Sequence, residues 1–182
     1  MLELRFHGRG GQGAVTSAEL LATAVIAEGK HAQAFPSFGP ERRGAPVIAY
    51  ARLDDERVRN RTSVKNPDVT IVLDPSILSI VDTSEGLTED GIQVINTSRA
   101  ASDLRGDFDL SGKLVTVNAN RIALKEIGRP ITNTTMLGAL VKATGAVEKD
   151  HLIEEIKNRF GRIAEGNIKA FNRAYEECVV EK

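Results

Sequence analysis

A glycine-rich run near the start of the chain, HGRGGQGA, has the residue types and spacing best suited to a chemical role. Gly8, Gly10 and Gly13 fit the pattern G-x-G-x-x-G, and Gly11 leaves the run with still fewer side chains. Glycine admits positive φ and lets backbone amides approach a ligand, while a helix amino terminus adds partial positive charge. Because an apolar strand pattern precedes the run and a helical pattern follows it, the sequence predicts a loop that binds phosphate or carboxylate.

Two well-known nucleotide sites fit this loop poorly. A dinucleotide site requires an acidic residue about 20 positions further on, at the end of the second strand. That region reads HAQAFP, and the nearest acid, Glu28, comes before it. A P-loop requires Lys and then Ser or Thr after the second glycine, where Ala14 and Val15 stand. NAD binding and ATP hydrolysis are therefore disfavoured.

An isolated glycine-rich match is equally compatible with a tight turn that binds nothing. Arg9 and Gln12 favour a ligand, because both are long hydrogen-bonding side chains on a loop with few others. Arginine in particular suits bidentate contact with phosphate or carboxylate.

A second loop, FGPERRGAP from Phe38 to Pro46, carries Arg42 and Arg43 between prolines and glycines. We expect both loops to follow the carboxyl ends of neighbouring strands, where open α/β sheets bind ligands. The two arginines could then reach an anion beside the glycine loop. A solvated turn and a contact with another subunit remain open as alternatives.

The elements that must position these loops alternate between strand and helix patterns. We expect one domain over residues 1–182, with a mostly parallel sheet, helices on both faces and a helical carboxyl-terminal portion, a Rossmann-like α/β fold. The run VTIVLD, Val69 to Asp74, is apolar enough for a central strand. The other predictions are strands at 2–6, 31–35, 47–53, 92–97 and 114–119, a weaker hairpin partner at 57–64, helices at 14–28, 75–82, 119–127, 132–144 and beyond 148, and a polar linker before 114.

Composition excludes several classes of protein. Lys and Arg total 24 against 25 Asp and Glu, a net charge of −1, which disfavours binding to nucleic acid or to an anionic membrane. The one cysteine, Cys178, cannot by itself ligate an iron–sulfur cluster. No apolar stretch approaches the roughly 18 residues of a membrane span, and no signal peptide opens the chain, so we expect a cytoplasmic protein.

The remaining polar candidates have simpler interpretations. His7, His31 and His151 lack acidic or thiol partners at metal spacing, so we assign them no catalytic or metal role. Asn133 and the two threonines after it are interpreted as a helix cap. Cys178 is interpreted as an inert thiol on the apolar stripe of the last helix.

Several separated motifs, in order, resemble one family over nearly the whole chain. HGRGGQGAVTSAELLATA, FPSFGPERRGAPVIAYARL, NPDVTIVLD and TNTTMLGALVKATG are similar to the gamma subunit of the 2-oxoacid:ferredoxin oxidoreductases. The form ERRGAP resembles the pyruvate and 2-oxoisovalerate members more than those acting on 2-oxoglutarate or indolepyruvate.

The resemblance implies a hetero-oligomer with alpha, beta and delta subunits. Such an enzyme decarboxylates a 2-oxoacid on thiamine diphosphate, reduces ferredoxin through iron–sulfur clusters and releases an acyl-coenzyme A. Thiamine, magnesium and clusters are expected in the partners, and the isolated chain is expected to be inactive. For this chain the resemblance suggests contact with coenzyme A through Gly8 to Gly13, Arg42 and Arg43. A stand-alone nucleotide- or coenzyme A-binding protein and a purely structural adaptor remain as alternatives.

Overall fold

The computed structural model describes residues 1–37 and 44–181. It contains a seven-stranded sheet with the strand order β2-β3-β1-β4-β5-β6-β7. The strands are β1 Leu2–Arg9, β2 His31–Pro36, β3 Pro46–Asp54, β4 Val69–Val72, β5 Ile92–Asn96, β6 Lys113–Val117 and β7 Val179–Val180. The helices are α1 Ala14–Ala27, α2 Ala101–Asp107, α3 Ala119–Ile127, α4 Asn133–Thr144, α5 Lys149–Phe160 and α6 Ala164–Glu177.

The sheet is mostly parallel, as predicted. β1, β4, β5 and β6 pair in parallel, whereas β3 runs antiparallel to both β1 and β2, and β7 runs antiparallel to β6. β1 and β2 therefore point the same way, as the predicted crossover through α1 requires, but β3 lies between them. β4 occupies the centre of the sheet, and Val69 to Val72 are all buried, which confirms the prediction for this apolar run.

The predicted hairpin between β3 and residues 57–64 is wrong. Both edges of β3 already pair, one with β1 and the other with β2, so the sheet offers residues 57–64 no free edge there. This segment instead packs as irregular chain with Val58 and Val64 buried. The buried guanidinium of Arg52 holds it by donating hydrogen bonds to the carbonyl oxygens of Asn60 and Thr62.

Helices cover both faces of the sheet. Because successive strand residues point to opposite faces, Ile71 and Val94 contact the main core while Val72 and Ile95 contact a smaller one. The main core includes residues of α1, α3, α4, α5 and α6, whereas α2 contributes Leu104 to the smaller core. Glycine permits close helix packing, since a Cβ on Gly138 would lie 2.1 Å from the carbonyl oxygen of Phe171.

On the second face of the sheet, β1 also buries two polar side chains, Arg5 and His7. Arg5 donates from Nε to Nε2 of His7 (3.0 Å) and from Nη2 to the carbonyl oxygens of Thr83 and Glu85. Burial, together with the charge of Arg5, lowers the pKa of His7 from 6.5 to about 3. His7 is therefore a neutral acceptor within a strand and stabilises a buried cation.

Three further expectations need correction. The predicted helix at 75–82 is only a 3-10 turn, Pro75–Ser79, and the polar linker before β6 contains α2. Cys178 lies just after α6, half-buried, rather than on that helix. Burial raises the pKa of its thiol, which suits the predicted lack of reactivity.

Among the helices of the described residues, none has the length and apolarity needed to cross a membrane.

Candidate functional site

The glycine loop connects the end of β1 to the start of α1, as the sequence predicts. Gly11 and Gly13 have φ values of 92° and 83°, a left-handed conformation that side chains disfavour. Gly8 has a different constraint, since its Cβ would lie 3.3 Å from that of Ala14. The glycines thus provide both the turn and the close packing of strand against helix.

Several amides of this loop already have partners within the protein. The N–H of Arg9 donates to Oε1 of Gln12 (2.7 Å), that of Gly10 to the carbonyl oxygen of Ala45 (2.9 Å), and that of Gln12 to the carbonyl oxygen of Arg9 (3.0 Å). The amino terminus of α1, in contrast, has no side-chain cap and no acidic residue in its first turn. A bound anion would therefore accept hydrogen bonds mainly from the start of α1.

Arg9 and Gln12 turn towards the neighbouring strand end instead of projecting freely. Gln12 donates from Nε2 to Oδ2 of Asp74 (2.7 Å), and Nε of Arg9 lies 3.3 Å from the same oxygen. Arg9 also donates to Oγ of Ser76 and to the carbonyl oxygen of Gly44. Both side chains hold the glycine loop against the carboxyl end of β4.

Asp74 is a site residue that the sequence reasoning missed. Burial alone would raise its pKa, but hydrogen bonds from Ser76 and Gln12, with the charge of Arg9, lower the pKa of Asp74 below its ordinary value. It stays ionised at neutral pH and offsets the charge of Arg9. The signal in the sequence was an acid at the end of the most apolar strand, directly before Pro75.

The glycine loop and Asp74 lie where the strand order reverses. From β1 the chain crosses through α1 to β2 at one edge of the sheet, whereas from β4 it continues to β5 on the other side. Open α/β sheets bind ligands at this reversal, outside the carboxyl ends of the strands. The sheet thus places the predicted loop at the position where this class of fold binds ligands.

The second loop reaches the same edge of the sheet. Arg42 and Arg43 lie outside the described residues, but Gly44 and Ala45 contact the glycine loop through backbone hydrogen bonds with Gly10. Pro46 also pairs with Arg9 in the β1–β3 register. Contrary to the prediction, the two loops do not follow neighbouring strands, because β3 lies between β1 and β2. Their proximity is nevertheless confirmed for the residues that follow the arginine pair.

The start of α4 also lies against the glycine loop, and its side-chain contacts differ from the predicted helix cap. Thr132, the residue before α4, makes no side-chain capping bond. Thr134 instead donates to Oδ1 of Asn167 on α6 (2.8 Å). Asn133 lies against the glycine loop, 3.0 to 3.2 Å from the position that a Cβ on Gly13 would occupy. Its Oδ1 atom is buried without a hydrogen-bond partner.

Metal-binding chemistry has no candidate at this edge. Within residues 1–37 and 44–181, no three or more His, Cys, Asp and Glu side chains lie close enough together to hold a metal ion. What the described site offers is the uncapped start of α1, the glycine backbone and the polar corner at Asn133. These are groups that can donate hydrogen bonds to an anion.

Known proteins match this chain along nearly its whole length. The family described as pyruvate ferredoxin/flavodoxin oxidoreductase matches residues 3–177. The pyruvate synthase subunit PorC of Methanothermobacter thermautotrophicus is 52% identical over 179 residues, covering 97% of this chain and 96% of the relative. The pyruvate/ketoisovalerate oxidoreductases common subunit gamma of Thermococcus kodakarensis is 50% identical over 182 residues, covering 99% and 98%.

A solved structure agrees with these relatives. The crystal structure of pyruvate oxidoreductase subunit PORC from Thermotoga maritima has a TM-score of 0.90 and 40% identity, covering all of this chain and 98% of the other. The α/β fold described above is thus shared with a solved subunit of this kind. The chain belongs to the pyruvate ferredoxin/flavodoxin oxidoreductase family, as a gamma subunit of the 2-oxoacid:ferredoxin oxidoreductase type. The predicted family and fold class are confirmed.

Proposed function

We propose that this gamma subunit binds the phosphates of coenzyme A at its glycine loop and helps to hold the oxidoreductase complex together. The complex would convert a 2-oxoacid, coenzyme A and oxidised ferredoxin into acyl-coenzyme A, CO₂ and reduced ferredoxin. Pyruvate or a branched-chain 2-oxoacid is the proposed substrate. The alpha, beta and delta subunits are the proposed partners, and the cytoplasm is the proposed location.

The observation that carries this proposal is the uncapped amino terminus of α1 at the strand-order reversal. Gly11 and Gly13 adopt positive φ there, and no acidic side chain occupies the first turn of α1. The partial positive charge of the helix end is therefore available to an anion. Coenzyme A carries three phosphates, and one of them could bind at this end.

Charge balance assigns the main electrostatic role to Arg42 and Arg43. Because Arg9 pairs with Asp74, its guanidinium is largely offset before any ligand arrives. Gly44, immediately after the arginine pair, accepts a hydrogen bond from Arg9 and donates one to Gly10. Two arginines joined to that residue are close enough in sequence to reach a phosphate at the loop. We therefore assign Arg9 and Gln12 to shaping the site and Arg42 and Arg43 to ligand contact.

The redox cofactors are assigned to other subunits. Thiamine diphosphate with magnesium would supply the decarboxylation chemistry, and iron–sulfur clusters would transfer the electrons. A cluster held by four thiolates needs more than the one cysteine of this chain, Cys178, which is half-buried beside β7. The residues of this chain would bind and orient coenzyme A, leaving bond making and breaking to the partners.

The test is steady-state kinetics of the assembled complex carrying Arg42→Gln and Arg43→Gln together. Losing charged hydrogen bonds to phosphate should raise the KM for coenzyme A by about tenfold or more, because each is worth about 1.5–3 kcal/mol. The KM for the 2-oxoacid should stay within twofold. Arg57→Gln with Arg59→Gln is the matched control, since both of these arginines are exposed on the segment after β3.

Two other results would each point elsewhere. Loss of assembly, with unchanged coenzyme A affinity in whatever complex remains, would support a structural adaptor. Acyl-coenzyme A formation by the purified chain alone would contradict the assignment of the redox chemistry to other subunits. An unchanged KM for coenzyme A in an intact double-variant complex would refute the phosphate contact.

A further inference from the structure

This chain covers the two faces of its sheet unequally. The main core contains residues of five helices, whereas the smaller core of the described residues has five buried apolar side chains, of which Leu104 and Leu110 come from outside the strands. Between β4 and β5 the chain forms only the 3-10 turn Pro75–Ser79. Parallel strands are usually connected by a helix that covers the sheet. The second face of the sheet is therefore the more thinly covered one.

An apolar groove lies on this second face, beside the 3-10 turn. It has a volume of about 390 Å³ and is lined by Leu78, Ile80, Phe108 and Leu110, among others, and we call it the Ile80 groove. Leu78 and Phe108 are partly buried and pack against the smaller core, while Ile80 is 58% exposed. The smaller core thus continues into an apolar surface that a partner could bury.

The charge around this groove differs from that of the rest of the chain. The stretch from Asp74 to Asp109 contains eight Asp and Glu against two arginines, a net charge of −6. The remaining residues contain 22 Lys and Arg against 17 Asp and Glu, a net charge of +5. A chain with almost no net charge is therefore strongly acidic in the two connections that cover its second face.

Two of these acids lie at the groove itself. Asp82 and Asp109 line it, and both are exposed. Within the described residues, Asp74 pairs with Arg9 and Asp107 with Arg99, but neither Asp82 nor Asp109 has an ion pair. An apolar floor beside unpaired carboxylates fits a protein segment that carries apolar side chains together with Lys or Arg.

Charge complementarity favours a different subunit over a second copy of this chain. In a two-fold dimer the same patch lies on both sides of the interface. Two Ile80 grooves facing each other would bring Asp82 and Asp109 close to their own copies, which is unfavourable. A basic segment of another protein would instead neutralise these carboxylates as it covers the apolar floor.

We propose that the Ile80 groove is the docking surface for a basic, amphipathic segment of another subunit of the oxidoreductase complex. This inference rests on the proposed function in naming the other subunits as the source of that segment. Apolar side chains of the segment bury Ile80, and its Lys or Arg side chains pair with Asp82 and Asp109. The groove begins in the 3-10 turn that also contains Ser76, a contact of Arg9, so the docked segment lies near the residues that shape the glycine loop.

The experiment is competitive assembly. The other subunits are co-expressed with two differently tagged forms of this chain, wild type and variant, and the ratio of the two forms in the purified complex gives their relative affinity. One variant carries Asp82→Lys with Asp109→Lys. Because Asp82 also accepts a hydrogen bond from the N–H of Ser84, Ile80→Ser is the second variant and leaves that contact intact. Urea unfolding of each purified chain confirms that it is folded.

Matched controls replace residues of the same kind outside the groove. Glu89→Lys with Asp90→Lys reverses two exposed acids of the same connection, and Leu124→Ser removes an apolar side chain that is 59% exposed on α3. We expect each groove variant to be incorporated about tenfold or more weakly than wild type, and each control within twofold. Raising the salt concentration should reduce the defect of the charge variant but not that of Ile80→Ser.

The outcomes separate this inference from the proposed function. Normal incorporation of both groove variants, or equal defects in groove and control variants, would overturn the docking surface. If the complex that contains the groove variants still shows a KM for coenzyme A that depends on Arg42 and Arg43, the proposed function stands without it. Self-association of the isolated chain that Ile80→Ser abolishes, with normal incorporation into the complex, would make a second copy the occupant and overturn the choice of another subunit. Failure of the wild-type chain to enter any complex would refute the proposed function itself.

Discussion

The buried imidazole of His7, a residue of β1, makes the free energy of unfolding depend on pH by an amount that can be calculated. His7 accepts a hydrogen bond from Nε of Arg5, and burial beside that cation lowers the pKa of His7 to about 3. In the unfolded chain the same imidazole titrates near 6.5. Because its folded pKa is depressed, the contribution of His7 is fully present above pH 6.5 and is lost as the pH falls towards 3.

The expected loss follows from proton linkage. At pH 5 the unfolded chain binds nearly one proton at His7 and the folded chain binds almost none, so the free energy of unfolding falls by about 2 kcal/mol relative to pH 7. Any folded pKa below about 4 gives nearly the same figure, because the folded imidazole is then neutral at pH 5. The effect therefore depends on His7 staying neutral, not on the value of its depressed pKa.

The measurement is urea unfolding of the wild-type chain and of His7→Gln at pH 7 and pH 5. Glutamine offers Arg5 an acceptor oxygen but does not titrate. Wild type should lose about 2 kcal/mol more than His7→Gln between the two pH values, whatever the absolute stability of the variant. Equal losses in the two proteins would refute the neutral, buried imidazole. His31→Gln, at the outer end of edge strand β2, is the control.

Two packing predictions test the fold around the site. Gly138→Ala should destabilise the chain by about 3 kcal/mol or more in urea unfolding, because the new Cβ would overlap the carbonyl oxygen of Phe171. Gly106→Ala in α2 is the control. A Cβ there meets nothing within 4 Å, so this variant should be neutral or slightly stabilising. A small effect at Gly138 would contradict the close α4–α6 contact. Arg52→Met should cost about 3 kcal/mol, because it removes a buried guanidinium that pairs with Glu3 and leaves that carboxylate without its partner. The exposed Arg59→Met should change stability negligibly. Limited proteolysis of Arg52→Met should cut near residues 57–64, which lose the hydrogen bonds to the carbonyl oxygens of Asn60 and Thr62. Unchanged proteolysis in Arg52→Met would show that other contacts hold this segment.

Local sequence patterns were sufficient to predict the elements whose boundaries are marked by residues close to them in the chain. The opening strand, the glycine loop and α1 follow from alternation, from glycine and from helical spacing, and β4 follows from its continuous apolar run. The errors came where a distant partner decides the structure. Residues 57–64 have a strand-like pattern, but β3 pairs with β1 and β2, and no local signal reveals that both of its edges are occupied.

The candidate site shows the same division between local features, which the sequence predicted, and contacts between distant residues, which it did not. The sequence predicted where the loop would lie, but not which of its glycines would turn the chain, since Gly11 has positive φ and lies outside the G-x-G-x-x-G pattern. It did not predict that Arg9 and Gln12 would contact Asp74, 62 or more residues away, or that Gly13 would lie against Asn133, because these contacts depend on how the strands are ordered. In folds of this kind, a polar residue just after a central strand, such as Asp74, indicates the position of a site as well as the glycine motif does.

The Arg9–Asp74 pair bears on the proposed anion site, because it offsets the positive charge of Arg9 in the absence of a ligand. An unpaired arginine close to the amino terminus of α1 would add to the positive potential of that helix end. Asp74 offsets Arg9, and hydrogen bonds from Gln12 and Ser76 keep that carboxylate ionised and in place. The loop can then hold its shape without a ligand. The proposed phosphate contact is therefore tested by substituting Arg42 and Arg43 rather than Arg9, whose charge Asp74 already offsets.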